Sequence, residues 1–157
     1  MLNDFVTLSL DVMSGEKDPE ASIAAALNLL ALREDVKIIL VGNQEIIEKQ
    51  TLGKKIDRLQ ILHAEEVVLM NDPPVVVLRK KKKSSMRLAV DLVKNDESQA
   101  CISSGNTGAL MAISKYVLKT IPTINRPALM TSIPTVKDHT YVLDLGANSS
   151  CSPEQLY

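Results

Sequence analysis

Hydrophobic positions along the chain fall into two alternating kinds of run. Short, largely apolar stretches of strand length occur at FVTLSLDV (5–12), VKIILVG (36–42), LQILHA (59–64), QACISS (99–104) and TYVLDLG (140–146). Between them apolar residues recur at helical spacing, in ASIAAALNLLALRE (21–34), 43–56, SSMRLAVDLVKND (84–96) and GNTGALMAISKYVLKT (105–120), which predicts helices. Asn43, and Ser84 or Ser85, stand where helix caps are expected, and Glu45 and Glu48 lie early in the 43–56 helix. Asp72-Pro73-Pro74 breaks whatever precedes it, so residues 74–81 read as a helix entering a basic loop. Pro122, Pro127 and Pro134 mark an irregular connection before the last strand.

Strands alternating with helices, and strands that are continuously apolar, predict an α/β domain with a parallel sheet covered on both faces. Right-handed crossovers place every strand-to-helix loop at the carboxyl edge of such a sheet, where ligands of open α/β folds bind. Asp11, Gly42, the 103–108 loop and residues 144–148 all fall at that edge.

Composition narrows the classes of function. A chain of 157 residues, 45% hydrophobic, suits one domain with one core. The net charge of −1 gives no reason to expect nucleic acid, and with 3% aromatics and no Trp, base stacking is not its mode of recognition. Cys101 and Cys151 are too few for a disulfide framework and are read as reduced thiols of a cytosolic protein. No apolar run approaches the ~20 residues of a membrane span. His63 and His139 have no metal-ligand spacing with the cysteines.

The chemistry-bearing stretches sit at strand ends. SSGNTGA (103–109) fits either an anion-binding loop, with free amides at a helix start, or a tight turn whose small residues only permit helix–sheet packing. It is neither GxGxxG nor a P-loop, so a nucleotide site is not indicated. In DLGANSS (144–150), Asp144 and Asn148 suit a polar substrate or an Asx-type turn. Asp11 at its strand end either does chemistry or receives hydrogen bonds from neighbouring loops. RKKKKSSMR (79–87) puts six cations in nine positions beside a helix start; it is a solvated face, or it suits an anionic ligand or an acidic partner. Cys101 reads as core, and no GxSxG elbow is present. The residues alone describe an anion-binding α/β domain without a covalent nucleophile.

Taken in order, DVMSGE (11–16), KIILVGNQEII (37–47), HAEEVVLMNDPP (63–74), RKKKKSSMRLAVDLVK (79–94), SSGNTGALMA (103–112), IPTINRPALMTSIPT (121–135) and DLGANSSCSPEQL (144–156) resemble the bacterial phosphate acyltransferases of phospholipid synthesis, the PlsX family. The resemblance implies a three-layer α/β/α fold of the isocitrate dehydrogenase/phosphotransacetylase type, with a mainly parallel sheet. It implies formation of acyl phosphate from acyl-[acyl carrier protein] and inorganic phosphate, without a metal or redox cofactor. It further implies a homo-oligomer, a cytoplasmic location, and peripheral association of the full-length family with the inner face of the membrane.

Carried onto these residues, the resemblance gives Asn106, Lys82 and Asp144 catalytic roles. Asp11, Ser84, Ser85, Ser104, Gly105, Thr107, Gly108, Gly146 and Asn148 would hold substrate. Departures accompany it: Ser14 stands at a usual glycine, Glu16 and Lys83 at usual aspartates, Asn71 at another, and SSC follows DLGAN where VDC is usual. Ser14 puts a glycine-permitted backbone in question. Family members run to roughly twice this length, so 1–157 is expected to be a single α/β domain matching their N-terminal half, as a fragment or a truncated gene product. The alternative to an enzyme is a catalytically silent α/β domain that keeps anion or partner binding.

Overall fold

The computed structural model describes residues 5–16, 18–53, 55–124 and 127–143. Contacts divide the chain into two compact units, 1–118 and 119–157.

In the first unit, β1 (Val6–Asp11), β2 (Val36–Gly42), β3 (Leu59–His63) and β4 (Ala100–Ser103) form one sheet in the order β3-β2-β1-β4. Every pairing in it is parallel. β2 lies inside the sheet and shows why its run is unbroken. Ile38 and Leu40 enter the core with Ile23, Ala26 and Leu30 of α1 (Pro19–Leu32). Ile39 and Val41, on the opposite face, pack with Ala89 and Leu92 of α4 (Ser85–Lys94). The sheet is thus a middle layer between helices.

α2 (Gln44–Gln50) is capped by Asn43, whose side chain accepts from the Ile46 amide. It stops earlier than its pattern suggested, because Leu52 and Gly53 turn left-handed, with φ of 53° and 61°. α3 (Pro74–Lys80) and α5 (Thr107–Val117) complete the unit. Val77, Met86, Val90, Ala109 and Ile113 bring α3, α4 and α5 into a second apolar cluster.

The second unit departs from expectation. Residues 130–134, read as irregular, form β5 (Met130–Pro134), which pairs antiparallel with β6 (His139–Leu143). The last strand is therefore half of a hairpin and is not in the parallel sheet. Proline misled the reading: Pro134 sits at the end of β5, where a missing N–H is tolerated. The reversal itself is closed by Thr135, whose amide donates to the Asp138 carbonyl at 2.7 Å.

Candidate functional site

The parallel register brings the carboxyl ends of the strands level. Asp11 lies opposite Val41 on one side and Ser103 on the other. Asp11 is completely buried and organises both loops that leave this edge. Its Oδ1 accepts from the amides of Met13 and Ser14, each at 3.2 Å, an Asx-type turn. Its Oδ2 accepts from Ser103 Oγ at 2.7 Å. Ser103 Oγ in turn accepts from the Gly105 amide at 3.2 Å. One carboxylate thereby sets the path of the 12–16 loop and of the turn into α5.

The two loops pack closely against each other. Ser104 Oγ donates to the Ser14 carbonyl at 3.1 Å. A Cβ on Gly105 would lie 2.5 Å from Ser14 Cβ and 2.8 Å from Met86 Cε, so only glycine fits. The left-handed backbone of the first loop falls on Gly15, at φ 129°, where a Cβ would meet Ser104 Oγ at 2.6 Å. Ser14 carries no positive φ among the described residues. The serine at the usual glycine position therefore costs the loop no backbone strain, and the doubt raised by the sequence does not apply there.

Asn106 is the cap of α5: its Oδ1 accepts from the Ala109 amide at 3.0 Å. Its Nδ2 donates to the carbonyls of Met70 at 2.9 Å and Asp72 at 3.0 Å. Both side-chain hydrogens are thus spent in tying the helix start to the 65–83 arm. Thr107 and Gly108 are exposed, and as the first residues of α5 their amides lack an intrahelical acceptor. With the helix dipole behind them, these amides favour an anion.

Ser84 caps α4, accepting from the Arg87 amide and donating to the Lys81 carbonyl. Ser85 Oγ and Ser14 Oγ are buried without a hydrogen-bond partner. Lys82 is exposed. Asp144, Gly146 and Asn148 lie outside the described residues, so among the expected site residues Asp11 and Ser103 to Gly108 are those brought together, with Ser85 one residue from the Met86 that touches Gly105.

Sequence reasoning missed a brace beneath the arm. Lys81 Nζ donates to Asp72 Oδ2 and, at 2.7 Å, to the Val67 carbonyl, while the Leu69 amide donates to Asp72 Oδ2 at 2.7 Å. Asp72 had been read only as a breaker, and no spacing rule links it to the lysine run. The hydrogen bond from Lys81, and after it that from Leu69, holds the Asp72 carboxyl below its ordinary 3.8. A carboxyl lowered by folding adds stability that is present above the unfolded value and lost as pH falls through the lower folded one. The arm should therefore loosen only below about pH 4. Hydrogen-exchange protection of the Leu69 amide should drop there, and Asp72→Asn should remove the protection at neutral pH; equal protection in that variant would refute the brace.

Burial, and after it the Asp11 charge, pushes the Cys101 thiol up to about 11, so it is protonated and inert at neutral pH. Among the described residues no group of three His, Cys, Asp or Glu side chains is placed to hold a metal ion, and no helix is long and apolar enough to cross a membrane. An apolar cavity of about 290 Å³ lies against α1, lined by Leu8, Leu10, Ala26, Leu29 and Ile102, and reaches Ser103 and Ser104.

Known proteins are similar to this chain along nearly its whole length. The phosphate acyltransferase of Methylococcus capsulatus is 49% identical over 154 residues, covering 96% of this chain and 45% of the relative. That of Hydrogenovibrio crunogenus is 49% identical over 153 residues, with the same coverage, and that of Nitrosococcus oceani 46% identical over 155 residues, covering 97% and 46%. The chain spans about half the length of the curated relatives it matches. The model of the family described as "Fatty acid synthesis protein" matches residues 6–157, from the first residue of β1 onward, so the chain belongs to that family, with phosphate acyltransferases among its relatives.

Proposed function

We propose that the chain is the N-terminal half of a phosphate acyltransferase of phospholipid synthesis, which forms acyl phosphate from acyl-[acyl carrier protein] and inorganic phosphate in the cytoplasm. The observation that carries this reading is a juxtaposition. The apolar cavity along α1 ends at Ser103 and Ser104, and the same turn opens onto the unpaired first amides of α5. An acyl chain in the one and phosphate at the other would put carbonyl and nucleophile side by side, and alignment of that kind supplies a large part of a two-substrate rate.

A phosphate oxygen attacks the thioester carbon. The tetrahedral oxyanion collapses, the carbon–sulfur bond breaks, and the carrier leaves as a thiolate that takes up a proton. Phosphate is itself the nucleophile, so the protein supplies binding and charge stabilisation. In this reading Ser104, Thr107 and the amides of Thr107 and Gly108 hold phosphate or the oxyanion. Lys82 adds positive charge, and Ser84 and Ser85 set the neighbouring helix start. Asn106 positions α5, since both its Nδ2 hydrogens are committed. Asp144, Gly146 and Asn148 would complete the site, and a second copy would complete the assembly.

Asn106→Ala is expected to lower phosphate-dependent transfer by about a hundredfold, the order of loss that misplacement of reacting groups brings, with about 1 kcal/mol of stability for the lost cap. Trapping acyl phosphate with hydroxylamine reads the first; urea unfolding reads the second. Transfer left intact would sink the assignment. The second reading, a silent domain that keeps anion binding, rests on the exposed first residues of α5, Thr107 and Gly108, whose amides can hold an anion without any acyl chain. It predicts phosphate binding without any acyl phosphate.

A further inference from the structure

The 65–83 arm carries charge and apolar surface that the fold does not use. It holds five cations, Arg79 and Lys80 to Lys83, against three acids. The acids are all spent locally. Asp72 is bound by Lys81, Glu65 by Lys83 Nζ at 3.0 Å, and Glu66 accepts from the Lys83 amide at 2.9 Å. Arg79, Lys80 and Lys82 stay exposed, without an ion pair among the described residues. Beside them Leu69 is 55% exposed, Met70 46%, Val75 59% and Val76 38%. Along α3, Val75 precedes Arg79 by four residues and Val76 precedes Lys80 by four, so each apolar side chain lies one turn from a cation on the same face.

We infer that this face of the arm, Val75, Val76, Arg79 and Lys80 with Leu69 and Met70 beside them, docks the acidic protein that delivers the thioester. The inference rests on the reading of the protein as a phosphate acyltransferase and names the surface that serves its site. Charge complementarity selects the occupant: a cationic rim on a chain of net charge −1 attracts an acidic face and sets its register. Position supports it, because Asn106 ties the Met70 and Asp72 carbonyls of this arm to the first turn of α5. A carrier seated here is next to the proposed phosphate. A lipid surface is the poorer match, since residues 64–83 contain no aromatic anchor and α3 has only seven residues.

The test is fluorescence anisotropy of labelled acyl carrier protein titrated with the 157-residue chain, over a series of salt concentrations. Arg79→Glu with Lys80→Glu should weaken binding at least about tenfold and flatten its salt dependence. Val75→Ser with Val76→Ser should weaken it without changing the salt slope. Both pairs are solvent-exposed, so the circular dichroism spectrum and melting should be retained. Phosphate binding, followed by ³¹P line broadening, should stay unchanged. Carrier affinity indifferent to the charge reversal would overturn the docking surface, as would wild-type binding to phosphatidylglycerol vesicles but not to the carrier. Failure to form acyl phosphate with carrier binding intact and charge-dependent would leave the surface standing and reject the transferase reading instead.

Discussion

Gly105→Ala is expected to displace the 12–16 loop and lower the proposed phosphate-dependent transfer by about a hundredfold, while Ser14→Gly in the same chain restores part of the loss. The added methyl would sit 2.5 Å from Ser14 Cβ, 2.8 Å from Met86 Cε and 3.3 Å from Ser103 Oγ. Met86 has a flexible end, but it is fully buried against Val77, Val90, Ala109 and Ile113 and has little room to retreat. Ser14 Cβ is fixed to its backbone, so the loop itself must move. That movement strains the bonds from Met13 and Ser14 to Asp11 and from Ser104 to the Ser14 carbonyl. Overpacking of this kind costs about 1–3 kcal/mol, and a shift of about 1 Å in positioning groups costs a further hundredfold in rate. Ser14→Gly alone should be close to neutral. It removes a buried hydroxyl without a partner, offsetting the roughly 0.5–1 kcal/mol of added chain entropy. Urea unfolding of the two single variants and the double variant measures the coupling, expected at about 0.5–3 kcal/mol for residues in direct contact. Additive effects would show that the close approach of the two loops is not what excludes a side chain from position 105.

Most of the first unit was legible because its signals are local. β2 is apolar throughout since it is covered on both faces, and Asn43 and Ser84 cap their helices where the sequence offers them; the cap that Asn106 makes on α5 was not among the expected ones. The end of α2 was overrun although Gly53 was in view: the stop also needs Leu52 in a left-handed conformation, which a leucine does not advertise. β5 was missed because Pro122, Pro127 and Pro134 outweighed the polar reversal at 135–138 that makes the hairpin. Within the site, the residue types were legible and their connections were not. That Ser103 and Asp11 would bond, 92 positions apart, follows from strand order β1-β4, and one sequence does not reveal strand order. The brace of Lys81 on Asp72 is hidden for a like reason, since five cations in a row give no sign of which one turns inward.

Asp11→Ala should be the most destabilising polar substitution in this site, and its effect should reach Gly105 without any contact between the two residues. Removing the carboxylate strands three donors: the Met13 amide, the Ser14 amide and the Ser103 hydroxyl. Asp11 is fully buried and Ser14 is 3% exposed, so bulk water does not replace the lost acceptor. At about 1–3 kcal/mol for each unsatisfied buried donor, the total exceeds about 3 kcal/mol. Asp11→Asn separates shape from hydrogen bonding. Its amide oxygen still accepts from Met13 and Ser14, but its amide nitrogen meets Ser103 Oγ, which already accepts from Gly105. The serine hydrogen then has nowhere to go, at the cost of about one hydrogen bond. If Ser103 turns to give that hydrogen another acceptor, the Gly105 amide loses its own. Hydrogen exchange at Gly105 should therefore accelerate in Asp11→Asn even where the global stability loss is small. Unchanged protection at Gly105 would mean that Asp11 shapes only its own loop. Accelerated exchange together with weakened phosphate binding would mark it as the residue that positions both loops of the site through Ser103, without itself touching the ligand.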